Sequence, residues 1–166
     1  MIARDLWQHH RSEANVAAEP EVLFAALDDH RRLASHMERP SLMTLGGSMH
    51  FKTDALLGKA VGSVIHMSGS VLGLQLALDE VVTEYEPPLS KVWATRGEPR
   101  LLVIGEYRMG FAISPSPAGS RLVVFIDYRL PRYGLPRILG WCFGRAYAAW
   151  CTHRMAKDAV VSGQNA

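Results

Sequence analysis

The residues best equipped for chemistry are seven histidines, five tyrosines and two cysteines, spread over 166 residues. No two histidines have the spacing of a zinc-binding helix motif, and Cys142 and Cys151 are not a Cys-x-x-Cys pair. On one helix these cysteines would lie about 13 Å apart, too far for a disulfide within the chain. There is neither a Gly-x-Ser-x-Gly elbow nor a phosphate-binding loop. The sequence therefore predicts no metal, no cofactor and no catalytic residue.

Two of the histidines are candidates for contact with a ligand. His66 lies in the middle of a predicted strand, where it could orient a polar group or exchange a proton. The favoured alternative is a surface histidine on the outer face of a sheet. His153 lies on a stripe of small residues in the last predicted helix, and its favoured alternative is a core histidine bonded to a backbone carbonyl.

The composition is that of an ordinary globular domain. Hydrophobic residues make up 48% and charged residues 20% of the chain, and a net charge of +2 is too small to argue for nucleic acid. The length predicts one domain over residues 1–166. No apolar run is long enough to span a membrane, and the first residues lack the apolar centre of a signal peptide. A cytoplasmic monomer or homodimer is the default expectation.

The N-terminal third predicts a strand followed by two short helices. Residues 3–16 are predicted as the strand, and Pro20 suits the first turn of a helix over residues 20–29. A second short helix is predicted over residues 30–37, ended by Pro40. The first helix carries an apolar stripe at helical spacing: Val22, Leu23, Ala26 and Leu27.

The middle of the chain predicts an antiparallel sheet, because short strand-like segments alternate with glycine- and proline-rich turns. Including the opening strand, the sheet is expected to have six to seven strands. The further segments are residues 42–54, 62–72, 74–86, 90–96, 101–114 and 121–130.

The last two segments predict their own register. If residues whose numbers sum to 235 face each other, Glu106 lies opposite Arg129 and Arg108 opposite Asp127. The other face is then apolar, and a shift by one residue destroys both patterns. This register directs five side chains towards the concave side of the sheet: Tyr107, Met109, Phe111, Ile126 and Tyr128.

The C-terminal segment predicts a single long helix over about residues 136–161, roughly 39 Å in length. Pro136 suits its first turn and Gly163 its end. Small residues are frequent, and they either bring the sheet close or leave space beside it. The predicted inward stripe is Leu139, Cys142, Ala146, Ala149, His153, Ala156 and Val160.

With these elements in this order, the chain resembles the START-like superfamily, also called SRPBCC or helix-grip, which includes the birch pollen allergen and polyketide cyclase-like proteins. The resemblance rests on the opening VAAEPEVLFAALDDHRRLASHM, on the hairpin VVTEYEPPLSKVWATRG and on the long terminal helix. It implies an α+β helix-grip fold, in which a curved antiparallel sheet wraps around the C-terminal helix.

The resemblance also implies a small hydrophobic ligand, such as a lipid, a polyketide or an isoprenoid, in a cavity between the sheet and the helix. Tyr107 and Tyr128 either hydrogen-bond that ligand or pack in the core. Trp93 and Trp150 either wall the pocket or fill the core. The predicted lining residues are Met49, Phe51, His66, Trp93, Tyr107, Met109, Tyr128, Trp150 and His153.

Two alternatives stay open. A cyclase or dehydratase would use Tyr107, Tyr128, His66 or His153 to transfer protons. The sequence does not allow a carboxylate and a histidine to be assigned together to the inner side of the sheet. This favours a protein that is not an enzyme. A protein-interaction module would have a filled core. In a membrane-peripheral variant of this module, aromatic and basic residues of the last helix would contact a bilayer. The favoured expectation is instead that the sheet covers this helix. The residues concerned are Arg137, Trp141, Phe143, Arg145, Tyr147, Trp150 and Arg154.

Overall fold

Within the part of the chain that the structure describes, seven strands form one antiparallel sheet, and two helices pack on one of its faces, which we call the inner face. The computed structural model describes residues 7–29, 48–71 and 73–164. The strands are β1 (Gln8–Val16), β2 (Ser48–Thr53), β3 (Val64–Val71), β4 (Leu74–Glu86), β5 (Ser90–Arg100), β6 (Tyr107–Ser116) and β7 (Gly119–Tyr128). The helices are α1 (Pro20–Asp28) and α2 (Gly134–Gln164).

The strands follow the order β1-β7-β6-β5-β4-β3-β2. Among these described strands, β1 and β7 are the one neighbouring pair that is not consecutive in the chain, and β1 and β2 lie at opposite edges. The predicted register of the β6–β7 hairpin is confirmed, with Tyr107 opposite Tyr128. On the outer face Arg129 lies 3.3 Å from Glu106, and Arg108 lies 3.6 Å from Asp127. On the inner face of these two strands the side chains are buried, apart from the partly buried Met109: Tyr107, Phe111, Ile113, Leu122, Val124, Ile126 and Tyr128.

The pairing of β4 with β5 is irregular at two places, and the second decides which later residues of β4 face inwards. The register shifts between Ala77 and Asp79 and again between Val82 and Glu84. An unpaired residue at a bulge changes the alternation of the strand. Leu78, Glu80 and Val82 alternate regularly onto the inner face, whereas beyond the second shift it is Tyr85 that turns inwards.

Two predicted boundaries were wrong. The fourth predicted segment ended at residue 96, but β5 continues to Arg100 through Gly97 and Pro99, because β4 still pairs with it at Arg100. The next segment was predicted to start at residue 101, but β6 starts at Tyr107. Pairing of β5 with β6 extends only over Ser90–Ala94 on the β5 side, so the intervening residues form a loop instead.

Helix α1 begins at Pro20 as predicted and ends at Asp28. Its buried side is Leu23, Phe24, Leu27 and Asp28, so Val22, which the predicted stripe included, is half-exposed instead. The stripe was displaced because Phe24 and Asp28, four residues apart, face the sheet. The second predicted helix, over residues 30–37, lies outside the described residues, as does the first part of the segment 42–54.

Helix α2 packs on β1, β7 and α1. Its predicted inward stripe was wrong at Cys142, Ala146 and His153, which are exposed, and it is confirmed at Ala156, which is buried in the core. The stripe that packs on the sheet is displaced by about one to two residues and runs through Gly140, Gly144, Ala148, Thr152, Met155 and Ala159.

The glycines of this inner stripe are required by close packing. A Cβ on Gly140 would lie 2.6 Å from the Val103 carbonyl oxygen and 2.8 Å from a ring carbon of Pro131. Such distances force a shift of the backbone, so only glycine allows the helix to approach the 101–106 loop this closely. The first turns of α2 are thereby held against the end of β7.

Among the described residues, no helix is both long enough and apolar enough to cross a membrane.

Candidate functional site

One carboxyl group is buried at the centre of the inner face. Glu80 lies on β4 between the inward residues Leu78 and Val82, both of which are buried in the apolar core. The Tyr107 hydroxyl donates a short hydrogen bond to Glu80 Oε1, and the Trp93 side chain donates a second bond to this carboxyl. Three strands, β4, β5 and β6, thus position one acid and its two donors.

Burial changes the protonation of this acid. Removal from water disfavours the carboxylate and raises the pKa of Glu80 to about 7. The hydrogen bonds from Tyr107 and Trp93 and the charge of Lys91 act in the opposite direction but do not cancel the effect of burial. Near neutral pH the carboxyl group is therefore present in both its acid and its base form.

Helix α2 contributes two further polar side chains to this region. Tyr147 and Cys151 are joined by a side-chain hydrogen bond, and the nearby Cys151 is the main cause that raises the pKa of Tyr147. The Glu80 charge raises the pKa of Tyr147 as well, and burial raises the pKa of Cys151 to about 12. The thiol is therefore protonated and is not an activated nucleophile.

The chemistry that these groups allow is hydrogen bonding and proton transfer. Burial also raises the pKa of Tyr107 well above its ordinary value, so its phenol is a donor throughout the physiological range. Neutral Glu80 can donate a hydrogen bond and ionised Glu80 can accept one. In an apolar enclosure such a pair can hold a hydroxyl or carbonyl group of a ligand, or move a proton near pH 7.

A second buried charge lies where α1 meets β5. Lys91 is fully buried, and its ammonium nitrogen lies 2.6 Å from Asp28 Oδ1. The Tyr85 hydroxyl donates to Asp28 Oδ2 at 2.8 Å. Burial lowers the pKa of Lys91, while the bond to Asp28 opposes this change. The pair fastens α1 to the sheet beside a surface cleft of about 360 Å³, lined by Glu21, Phe24, Ala25, Asp28, Lys59, Tyr85, Pro87 and Pro88.

The structure brings several of the predicted lining residues onto the inner face. Tyr107 and Trp93 contact Glu80, as described above. Tyr128 is buried beside Tyr107, and its hydroxyl donates to Gln8 Oε1 at 2.8 Å. Met49, Phe51 and Met109 are partly buried and pack against the same core. Trp150 is half-buried next to Tyr147, with 6.0 Å between the ring centroids.

The two predicted histidines lie elsewhere. His66 is exposed on the outer face, where its Nδ1 lies 2.6 Å from Asp79 Oδ1. The side chains of β3 alternate between the two faces of the sheet, and Ile65 and Met67 face inwards. His66, which lies between them, therefore does not line the inner face as predicted. His153 is exposed on α2, with Nδ1 at 3.0 Å from Ser12 Oγ, so it contacts β1 at the edge of the sheet.

Sequence reasoning missed Glu80, Asp28 and Lys91, since charged side chains are normally exposed. For Glu80 the available signal was its alternation with Leu78 and Val82, which places an acid in the middle of an apolar row. For Asp28 the signal was its spacing of four from Phe24 on the buried side of α1. Among the described residues, no group of three or more His, Cys, Asp or Glu side chains could hold a metal ion.

No family model matches the sequence, and no curated protein matches it. Solved structures do match it over nearly its whole length. The Mll3558 protein from Rhizobium loti has a TM-score of 0.65 at 15% identity and covers 95% of this chain and 97% of its own. Ara h 8.0201 has a TM-score of 0.64 at 11% identity, over 96% of this chain and 99% of its own.

A third match is the di-domain ARO/CYC BexL from the BE-7585A biosynthetic pathway. Its TM-score is 0.64 at 11% identity, and the alignment covers 98% of this chain but 50% of that one. This chain is therefore similar to one half of that protein. At these identities the matches establish the fold.

Proposed function

Because the chain has the helix-grip fold of START-like/SRPBCC proteins, we propose that its inner face binds a small hydrophobic ligand whose polar group is held by Glu80 and Tyr107. The observation that carries this proposal is one hydrogen-bonded carboxyl group in an apolar surrounding. Ligand sites in proteins have this composition, with a mainly apolar lining and a few convergent polar groups.

The packing of α2 supports a location for the ligand. Among the described elements, α2 packs on β1 and β7, with no comparable packing on β3, β4 or β5. The inner faces of β3–β5, which carry the buried Met67, Leu78, Trp93 and Glu80, therefore lie away from the helix axis. A lipid, polyketide or isoprenoid between α2 and these strands would place its hydroxyl or carbonyl group at Glu80, with Met49, Phe51, Met109, Tyr128 and Trp150 along its apolar part.

Binding is tested first by native mass spectrometry of freshly purified protein, followed by denaturing extraction of any bound molecule. A titration with the flavanone naringenin, which carries phenol and carbonyl groups on an apolar frame, then compares variants. Glu80→Gln and Tyr107→Phe should each weaken binding roughly 3- to 10-fold, the effect of one lost hydrogen bond. Glu84→Gln, an exposed glutamate on the same strand, should leave the affinity unchanged.

Equal affinity for all of these variants, or no binding by wild-type protein together with an empty native mass, would contradict the proposal. The circular dichroism of each variant serves as the control for folding.

A second candidate function, acid–base catalysis of the cyclase type, is favoured by the pKa of Glu80 at about 7. Ionised Glu80 would remove a proton from a carbon between two carbonyl groups, and the Tyr107 hydroxyl would donate to the resulting enolate. In a synthetic 2,4,6,8-tetraketone this carbon would attack the most distant carbonyl to close a six-membered ring, and the new alkoxide would take the proton back from Glu80. The rate of this aldol cyclisation should then rise with pH through about 7, and Glu80→Gln should lower it roughly 10²- to 10⁴-fold. A wild-type rate equal to that in buffer would exclude this candidate.

A further inference from the structure

The first turns of α2 expose an apolar surface of unusual size. The exposed fraction is 81% for Trp141, 80% for the preceding Tyr133 and 62% for Ile138, while Leu135 and Phe143 are more than half exposed. At roughly 200 Å² for each large side chain, these five residues present several hundred Å² to water, which is typical of an interaction site. The expectation that the sheet grips this part of the helix was wrong for Trp141 and Phe143.

Helical spacing places Leu135 and Ile138 on the outward side of α2, with Trp141 and Phe143 on its two opposite flanks. Leu135, Ile138 and Cys142 follow one another by three and four residues, directly opposite the buried Gly140 and Gly144. Trp141 follows Ile138 by three residues, on the flank of this face. We call the set Tyr133, Leu135, Ile138, Trp141 and Phe143 the α2 apolar face.

Basic side chains border the α2 apolar face. Arg137 and Arg145 lie one turn before and one turn after Trp141, and both are exposed. Residues 128–157 contain five arginines and one lysine but no acidic residue, so the rest of the chain carries more acidic than basic residues. The segment that carries this face is therefore the most basic part of the sequence. Within it, Arg129 and Arg132 are paired with Glu106 and Arg154 with Asp158.

A fourth aromatic ring lies at the same end of the sheet. Trp7, next to the first residue of β1, is about half exposed, and the Arg129 guanidinium lies 4.6 Å from the centre of its ring. Arg129 directly follows β7, which leads within a few residues into α2. Tryptophan, tyrosine and arginine occur together where proteins meet the headgroup region of a bilayer.

We propose that the α2 apolar face docks on the surface of an anionic lipid bilayer, with its aromatic and aliphatic side chains in the headgroup region and Arg137 and Arg145 on anionic headgroups. A second copy of the chain fits this surface less well. A two-fold contact would bring Arg137 and Arg145 of both copies together, and residues 128–157 offer no acidic side chain to compensate. Nucleic acid would leave the leucine and isoleucine without a suitable partner.

The test is co-flotation of the full chain with vesicles of phosphatidylcholine alone or with about 30% phosphatidylglycerol. Wild-type protein should bind the anionic vesicles, and high salt should weaken binding. Trp141→Ser and Ile138→Ser should each lower the partition coefficient several-fold. The double variant Arg137→Gln/Arg145→Gln should lower it roughly 25-fold, about five-fold for each charge near the surface.

Matched controls lie in other parts of the described structure. Val61 is as exposed as Ile138, at 61%, in the turn between β2 and β3, so Val61→Ser should bind like wild type. Arg100→Gln removes an exposed arginine at the end of β5 and should have little effect. Because all of these positions are exposed, each variant should keep the wild-type melting temperature.

Three outcomes would overturn the proposal. They are no binding to anionic vesicles, equal binding to neutral vesicles, and equal partition of Ile138→Ser and Val61→Ser. A wild-type dimer in gel filtration that Trp141→Ser converts to a monomer would assign the face to a second copy instead.

Discussion

Replacing Asp28 with asparagine should lower the free energy of unfolding by about 3–5 kcal/mol, because the substitution removes the carboxylate 2.6 Å from the buried Lys91 ammonium. Lys91 is fully buried, and its ammonium nitrogen contacts Asp28 Oδ1 directly. The loss should shrink as the pH rises towards 10.5, the ordinary pKa of a lysine, since burial lowers the pKa of Lys91 and neutral Lys91 no longer needs a partner. Urea unfolding at several pH values measures both effects.

Two further variants show whether the charge is the cause. Glu21→Gln changes an exposed acid in the first turn of α1 and should cost less than about 0.5 kcal/mol. The double replacement Asp28→Leu/Lys91→Met removes both charges and should be more stable than Asp28→Asn. A cost below about 1 kcal/mol for Asp28→Asn, or a double variant that is the least stable of the set, would refute this account of the pair.

Replacing Glu80 with glutamine should raise the free energy of unfolding at about pH 8 by up to about 3 kcal/mol. The pKa of Glu80 is raised from 4.5 to about 7, so the folded state binds the proton more tightly than the unfolded chain. Wild-type protein therefore has the full benefit below about pH 4.5 and loses it as the pH rises through 7, at about 1.4 kcal/mol per pKa unit. Glutamine, which stays neutral, keeps the benefit at every pH.

Urea unfolding of both proteins at about pH 5 and about pH 8 measures this difference. The difference in stability between Glu80→Gln and wild type should be more positive at the higher pH. Glu84→Gln makes the same chemical change on an exposed part of β4 and should give no such trend. If the Glu80 difference is the same at both pH values, the buried carboxyl does not change its protonation on folding. A stabilised variant that binds ligand more weakly would show that the acid is kept for function.

The β6–β7 hairpin could be predicted in detail because two independent patterns fixed one register. Opposite charges face each other on the outer side, while the inner side is continuously apolar, and no other pairing satisfies both. The start of α1 at Pro20 was equally clear. At these places the local sequence and the tertiary structure require the same arrangement.

The inward face of helix α2 was harder to predict, because small residues occur at helical spacing on two of its sides. Ala146 and Ala149 make a stripe as regular as that of Gly144 and Ala148, and composition does not separate them. The distinction comes from contact, since the close approach of α2 to the Val103 carbonyl requires glycine at residue 140. The residues of the candidate site were likewise decided by tertiary contacts that the local sequence does not show. Glu80 becomes a buried acid only once β6 and β5 bring Tyr107 and Trp93 to it, and Tyr85 turns inwards only through a shift in the pairing of β4.

The order of strands in the sheet has a consequence for how this protein is made. Strand β1 has β7 as its neighbour in the sheet, and about a hundred residues of chain separate the two. At a synthesis rate of roughly 5–20 residues per second, β1 leaves the ribosome roughly 5–20 seconds before its partner does. During that time its backbone amides and the apolar residues of α1 have neither β7 nor α2 to cover them, so the growing chain is a natural substrate for chaperones that hold unfolded protein until β7 and α2 have emerged.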